Sequence, residues 1–137
     1  MTPKILLRIA AVLILIHNVG HTIGHSGWKN APDEVNRRAI DAMTGNEFIF
    51  MGAKSTYARF YDGYGYAGSL TLLLVMILLW MLSGVQSKLS KQLTIVTGLF
   101  LVSWAIMEYL YFFPLAAGMT LIAAIVTIWS ANRMVNG

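Results

Sequence analysis

Four apolar runs, each about as long as a bilayer is thick, dominate the chain. They extend over about 5–24, 64–84, 93–113 and 115–131, roughly Ile5 to Gly24, Tyr64 to Gly84, Leu93 to Phe113 and Leu115 to Ala131. About 20 apolar residues cross roughly 30 Å of hydrocarbon. Backbone in contact with lipid must satisfy its own N–H and C=O groups, which at this run length means helices. The expectation is an all-α chain: one transmembrane domain over residues 1–137, built as a four-helix bundle, with an extracytoplasmic loop over about 25–63.

Composition agrees. Hydrophobic residues make up 57% of the chain and charged residues 12%, against about 25% charged in soluble domains. The net charge is +4, and the basic residues flank the apolar runs rather than forming a patch. That pattern orients a membrane protein and argues against nucleic-acid binding. Lys4 and Arg8 flank the start of the first run, Lys88 and Lys91 lie between the second and third, and Arg133 follows the fourth. No small-x-small site follows the first run, so it reads as a span and not as a cleaved signal. An even number of spans puts all these cations on one side, and the connection between the third and fourth runs has no Lys or Arg. Both termini are therefore expected in the cytoplasm of a plasma (inner) membrane protein whose first partner is the bilayer. Cysteine is absent. Disulfides, thiolate metal sites, Fe–S clusters and thiol–disulfide relays are excluded.

Residues 25–63 form the one long connection. Pro32, Asp33 and Glu34 open a short helix over about 32–43 that Gly45 ends, with Val35, Ala39, Ile40 and Met43 as its apolar face. The segment Phe48–Gly52 is expected to dip to the interface or pack on the bundle. Ser55 reads as an N-cap, starting the next helix near Thr56.

Polar residues interrupt the hydrocarbon. His17, His21 and His25 recur every four residues on the first run, and each step turns about 40° around a helix, giving one slowly rotating stripe with Asn18 at its edge. Glu108 lies in the third run, with Trp104 and Tyr111 on its face. Asp62, Tyr66 and Ser69 share a face at the start of the second helix. Counting helical rise puts Glu108 level with His21 and His25, so a pairing of Glu108 with one of them is expected. Buried ionisable residues in a span point to function. The same groups could equally bond one another and pin the helices together. A His pair at i, i+4 also has the bite of a helical metal site, making His17, His21 and Glu108 a candidate set for a divalent metal, with no cofactor firmly implied. Bis-histidine haem needs a histidine on a second helix, and none exists.

Gly20 and Gly24 form a GxxxG expected to let helices approach closely. Gly63, Gly65 and Gly68 alternate with Tyr61, Tyr64 and Tyr66, either as an aromatic belt with close packing or as a flexible neck.

The elements His17-Asn18-x-x-His21 and Phe60-Tyr61-Asp62-Gly63-Tyr64-Gly65, set among four spans, resemble an uncharacterised family of small bacterial four-helix integral membrane proteins. The resemblance covers most of the chain and implies the fold but no activity. In chemistry alone the residues are also similar to sterol-isomerase-type membrane bundles, which use intramembrane carboxylates and histidine for proton transfer.

The function expected first is a cavity at the extracytoplasmic end binding a small amphipathic or lipid-like molecule. Its walls are Trp104, Tyr111, Tyr61 and the face of the first helix, its polar end is His21, His25 and Glu108, and His17, Asn18, Asp62 and Tyr66 are further ligand-binding candidates. An enzyme with Glu108 and His21 as acid and base is the alternative, and a structural or partner-binding subunit, including a homo-oligomer, is the third.

Overall fold

The computed structural model describes residues 1–134. Five helices and one hairpin follow one another: α1 (Pro3–Ser26), α2 (Glu34–Gly45), β1 (Glu47–Phe50), β2 (Ala53–Thr56), α3 (Tyr57–Leu82), α4 (Lys88–Tyr111) and α5 (Pro114–Arg133). Among them α1, α3, α4 and α5 are long and apolar enough to cross a membrane. The chain falls into two compact units: Met1–Asn18 with everything from Thr71 onward, and Val19–Leu70.

The first, the bundle unit, has an interior of small side chains. α5 buries Ala116, Ala117, Thr120, Ala123, Ala124, Thr127, Ser130 and Ala131, a stripe at three- and four-residue spacing. α4 answers with Ser90, Thr94, Thr97, Gly98, Leu101, Ala105 and Glu108. A Cβ on Gly98 would overlap Ile128 of α5, so this glycine is needed for the close approach. Thr94, Thr97 and Thr127 donate to the carbonyls of Ser90, Leu93 and Ala123, four residues back, which satisfies each buried hydroxyl within its own helix. Leu7, Ile14, Leu72, Leu79 and Leu101 complete the core. Large apolar residues such as Ile16, Leu74, Val96, Leu110 and Ile125 are exposed instead.

Helix ends follow recognisable chemistry. Ser87 and Ser90 form a reciprocal capping box that starts α4 at Lys88, ahead of its apolar run at Leu93. Pro114 occupies the first turn of α5, where its missing N–H costs nothing.

The second, the loop unit, holds the surprises. Asp33 caps α2 by accepting from Asn36 N at 2.8 Å. The apolar face expected on this helix is not buried: Val35 is 79% exposed, and only Ile40 and Met43 are half-covered. Phe48–Gly52 provides most of the first strand and the turn of an antiparallel hairpin, a form the sequence did not announce, with Glu47 opposite Thr56 and Phe50 opposite Ala53. Phe48 and Phe50 share one face and pack on Phe60 of α3, Phe48 stacked with ring centroids 5.8 Å apart and Phe50 edge-on at 5.3 Å. Ser55 lies in β2, and Thr56 is the cap, its hydroxyl accepting from Arg59 N at 3.2 Å. Gly20 and Gly24 do not mediate a close approach, since a Cβ on either would meet nothing within 4 Å.

The hairpin turn puts Met51 at φ +49° and Gly52 at φ +83°. Two positive φ values suit the twist of a two-residue hairpin, but a methionine in that region is strained. Met51→Asn should stabilise the hairpin by about 1 kcal/mol, because Asn tolerates this conformation. Amide exchange across Glu47–Thr56 would slow accordingly, and an unchanged rate would show the turn unstrained.

Candidate functional site

In the bundle unit the packing stripes of α4 and α5 carry two polar side chains, Glu108 and Thr120, to His17 of α1. His17 Nε2 lies 3.2 Å from Glu108 Oε1, and both residues are 6% exposed. Trp104, one turn before Glu108 on the same face, donates its Nε1–H to that same oxygen at 2.9 Å. Thr120 Oγ1 is 2.9 Å from His17 Nδ1. Where Thr94, Thr97 and Thr127 bond their own helices, the Thr120 hydroxyl faces the imidazole. With Thr120 donating to Nδ1, the ring proton sits on Nε2 and points at the carboxylate, so the hydroxyl sets the tautomer.

Glu108 Oε2 is different. It is buried and has no hydrogen-bond partner among the described residues. An ionised carboxylate has about four acceptor positions, and here both donors go to the other oxygen. Asn18 Oδ1 is likewise buried and unpartnered.

In the loop unit the carboxylate is matched, but His25 Nε2 is buried without a hydrogen-bond partner among the described residues. Asp62 accepts from Trp28 Nε1 at 2.7 Å and from Lys29 Nζ at 2.9 Å, one donor on each oxygen. His25 Nε2 lies 3.8 Å from Asp62 Oδ1, and its ring rests between Tyr61 and Tyr66 at 5.5 and 5.1 Å. His21 stacks on His25 with centroids 6.2 Å apart, and its Nε2 lies 3.1 Å from Gly65 O. A carbonyl only accepts, so His21 carries its proton on Nε2. Thr22 and Ser69 hydroxyls meet at 2.9 Å.

The glycines of the tyrosine-rich segment explain how the rings fit. A Cβ on Gly65 would overlap the His25 ring, and one on Gly68 would come within 3.0 Å of His21 Nε2. Both positions permit close packing of α1 imidazoles on the α3 backbone.

Of the ten residues expected in one site, eight fall into two groups. His17, Trp104 and Glu108 come together in the bundle unit, and His21, His25, Tyr61, Asp62 and Tyr66 in the loop unit. The histidine that meets Glu108 is His17, not His21 or His25. Counting rise from the starts of apolar runs assumed a common depth for those starts, and the capping of α4 at Lys88 shows that the run does not mark the helix start. Tyr111 is 72% exposed and walls nothing. Among the described residues no group of three or more His, Asp or Glu side chains converges on a point that could hold a metal. Thr120, Trp28 and Lys29 are partners that sequence reasoning missed; the spacing of Thr120 in the small-residue stripe was the only signal for it.

No family model, curated protein or solved structure matches the chain.

Gly65→Ala should lower stability by about 1–3 kcal/mol, because the Cβ forces the His25 ring out of its place. Gly63→Ala, where a Cβ meets nothing within 4 Å, should instead gain up to about 1 kcal/mol from helix propensity. Thermal unfolding of the detergent-solubilised protein compares the two, and equal effects would contradict the assignment.

Proposed function

We propose that the chain is a multi-pass integral membrane protein that receives the hydrogen-bond-donating end of a small amphipathic or lipid-like molecule at the His17–Glu108 pair. The membrane reading rests on the distribution of side chains on α4 and α5: apart from Leu101 and Glu108 they bury Ala, Ser, Thr and Gly, while their Leu, Ile, Val and Phe side chains otherwise face outward. Small residues at helix interfaces with large apolar ones outward suit a lipid surround. Its termini lie in the cytoplasm, beside Lys4, Arg8, Lys88, Lys91 and Arg133.

The observation that carries the ligand is the unused Glu108 Oε2. A buried acceptor without a donor costs roughly 1–3 kcal/mol, more when charged. A hydroxyl or amine arriving on an otherwise apolar molecule would offset that cost at this oxygen. The loop-unit cluster supports a binding role less well, since both oxygens of Asp62 are already engaged. The alignment of Thr120, His17 and Glu108 also favours a second reading, acid–base catalysis on the same molecule, with the carboxylate and the oriented imidazole exchanging a proton with it.

Mass spectrometry of organic extracts from purified protein tests this. A stoichiometric hydroxyl- or amine-bearing apolar compound is expected, retained at least roughly tenfold less by Glu108→Gln, since a hydrogen bond to a charged group is lost. Conversion of that compound by wild type but not by Glu108→Gln would establish the catalytic reading. A wild type carrying nothing, together with a Glu108→Leu/His17→Leu double variant as stable as wild type, would reduce the pair to a structural one.

Topology has its own check. A reporter active only in the cytoplasm should work at the C-terminus, and one active only outside should work at the Met51–Gly52 turn. The reverse pattern would invert the orientation.

A further inference from the structure

The bundle unit has a second feature, distant in sequence from Glu108. A groove of 280 Å³ runs between α1 and the later part of α3, floored by Ala11 and walled by Val12, Leu15, Met76, Ile77 and Trp80. Its lining is apolar. Arg8 stands one turn before Ala11 and Val12 on the same stripe of α1, and its guanidinium lies over the Trp80 ring, 4.9 Å from the centroid. The groove therefore has a cation at one end.

Among the described residues that cation has no acidic partner. The described part of this unit contains a single carboxylate, Glu108, and it is buried against His17. Arg8 is exposed and makes no ion pair among the described residues, and Lys4, also exposed, precedes it by one turn. A guanidinium stacked on an indole keeps its N–H edge available, and that edge matches a phosphate with two parallel hydrogen bonds.

We infer that this groove is a binding site for one anionic phospholipid, its phosphate on Arg8 and an acyl chain along Ala11, Val12 and Met76. The occupant follows from the joint demand of the two parts: an apolar slot needs a chain, and an unpaired guanidinium at its end needs an anion. The inference rests on the membrane reading, under which Arg8 lies at the cytoplasmic face, where anionic lipids gather and attract basic residues. Met76 and Met81 line the same slot, and methionine adapts to a chain of varying shape.

Native mass spectrometry of the full chain, released from detergent with phosphatidylglycerol or phosphatidylcholine of identical chains, provides the test. One phosphatidylglycerol should be retained in roughly fivefold preference, the contribution of one basic residue near an anionic lipid. Arg8→Gln should abolish the preference while leaving residual binding of both lipids. Val12→Phe and Ile77→Phe, at half-exposed positions where added volume enters the groove and not the core, should lower retention of both lipids. Equal retention of the two lipids by wild type, or an unchanged preference in Arg8→Gln, would overturn the site. If Arg8→Gln does not fold, unchanged retention in Val12→Phe overturns it instead. Recovery of the wild type in the soluble fraction after alkaline extraction would sink the membrane reading itself, an outcome distinct from a membrane-bound protein that shows no lipid preference.

Discussion

Close approach between α4 and α5 is the constraint on which the bundle unit depends. The two stripes of Ala, Gly, Ser and Thr leave little side-chain volume between the backbones, and Gly98 against Ile128 marks a point where no Cβ can be accommodated. In a lipid surround, burying Leu between helices yields little, because the tails outside are as apolar as the interior. Dispersion contacts at short range then carry the association, and they fall away quickly with distance. Each threonine in the seam would be a liability with an unsatisfied hydroxyl; the bonds of Thr94, Thr97 and Thr127 to their own helices remove it.

The candidate site is a modification of that seam. Leu101, Ala105 and Glu108 continue one α4 stripe, and Thr120 sits at the matching spacing on α5 between Ala116 and Ala124. Glu108 occupies a place where a small residue would pack, and Trp104 and His17 supply the polar contacts it requires. A buried carboxylate bonded to an imidazole is weak support for stability, because the cost of taking it out of water offsets most of what its partners return. Its presence in a seam that otherwise excludes charge therefore needs a reason other than stability, and that need, with the unused Oε2, separates this pair from the Asp62 cluster, where both carboxylate oxygens accept a donor.

Much of this architecture was legible in the sequence, because a run of about 20 apolar residues has few alternatives. The four long helices, the short α2 and the proline start of α5 all follow from run length and cap chemistry. The hairpin was not legible. Its strands are four residues each, and its turn uses Met-Gly in place of the Asn-Gly that would announce two positive φ values. The GxxxG of Gly20 and Gly24 misled, because the motif states only that close approach is permitted there. The axial register of helices was the deepest gap. Periodicity tells which face a residue occupies to within a few tens of degrees, but sliding one helix past another by a turn of about 5.4 Å leaves every face unchanged. That one turn is the difference between His21 and His17 as the partner of Glu108.

The three histidines of α1 show why residue type and spacing alone could not assign roles. One residue type on three successive turns meets three chemistries: a carboxylate and a hydroxyl at His17, a backbone carbonyl at His21, and two tyrosine rings near a shared carboxylate at His25. At His21 the acceptor fixes the proton on Nε2, which bonds the α1 side chain to the α3 backbone. At His25 the ring acts as a flat filler, admitted by the missing Cβ of Gly65. At His17 both nitrogens face polar groups, and the same Nε2–H lies toward a carboxylate that keeps one oxygen unengaged. Of the three, His17 is joined to a carboxylate with one oxygen wholly unengaged, a demand that an incoming donor can meet, whereas at His25 the unfilled position is the ring Nε2 itself, beside a carboxylate with a donor on each oxygen.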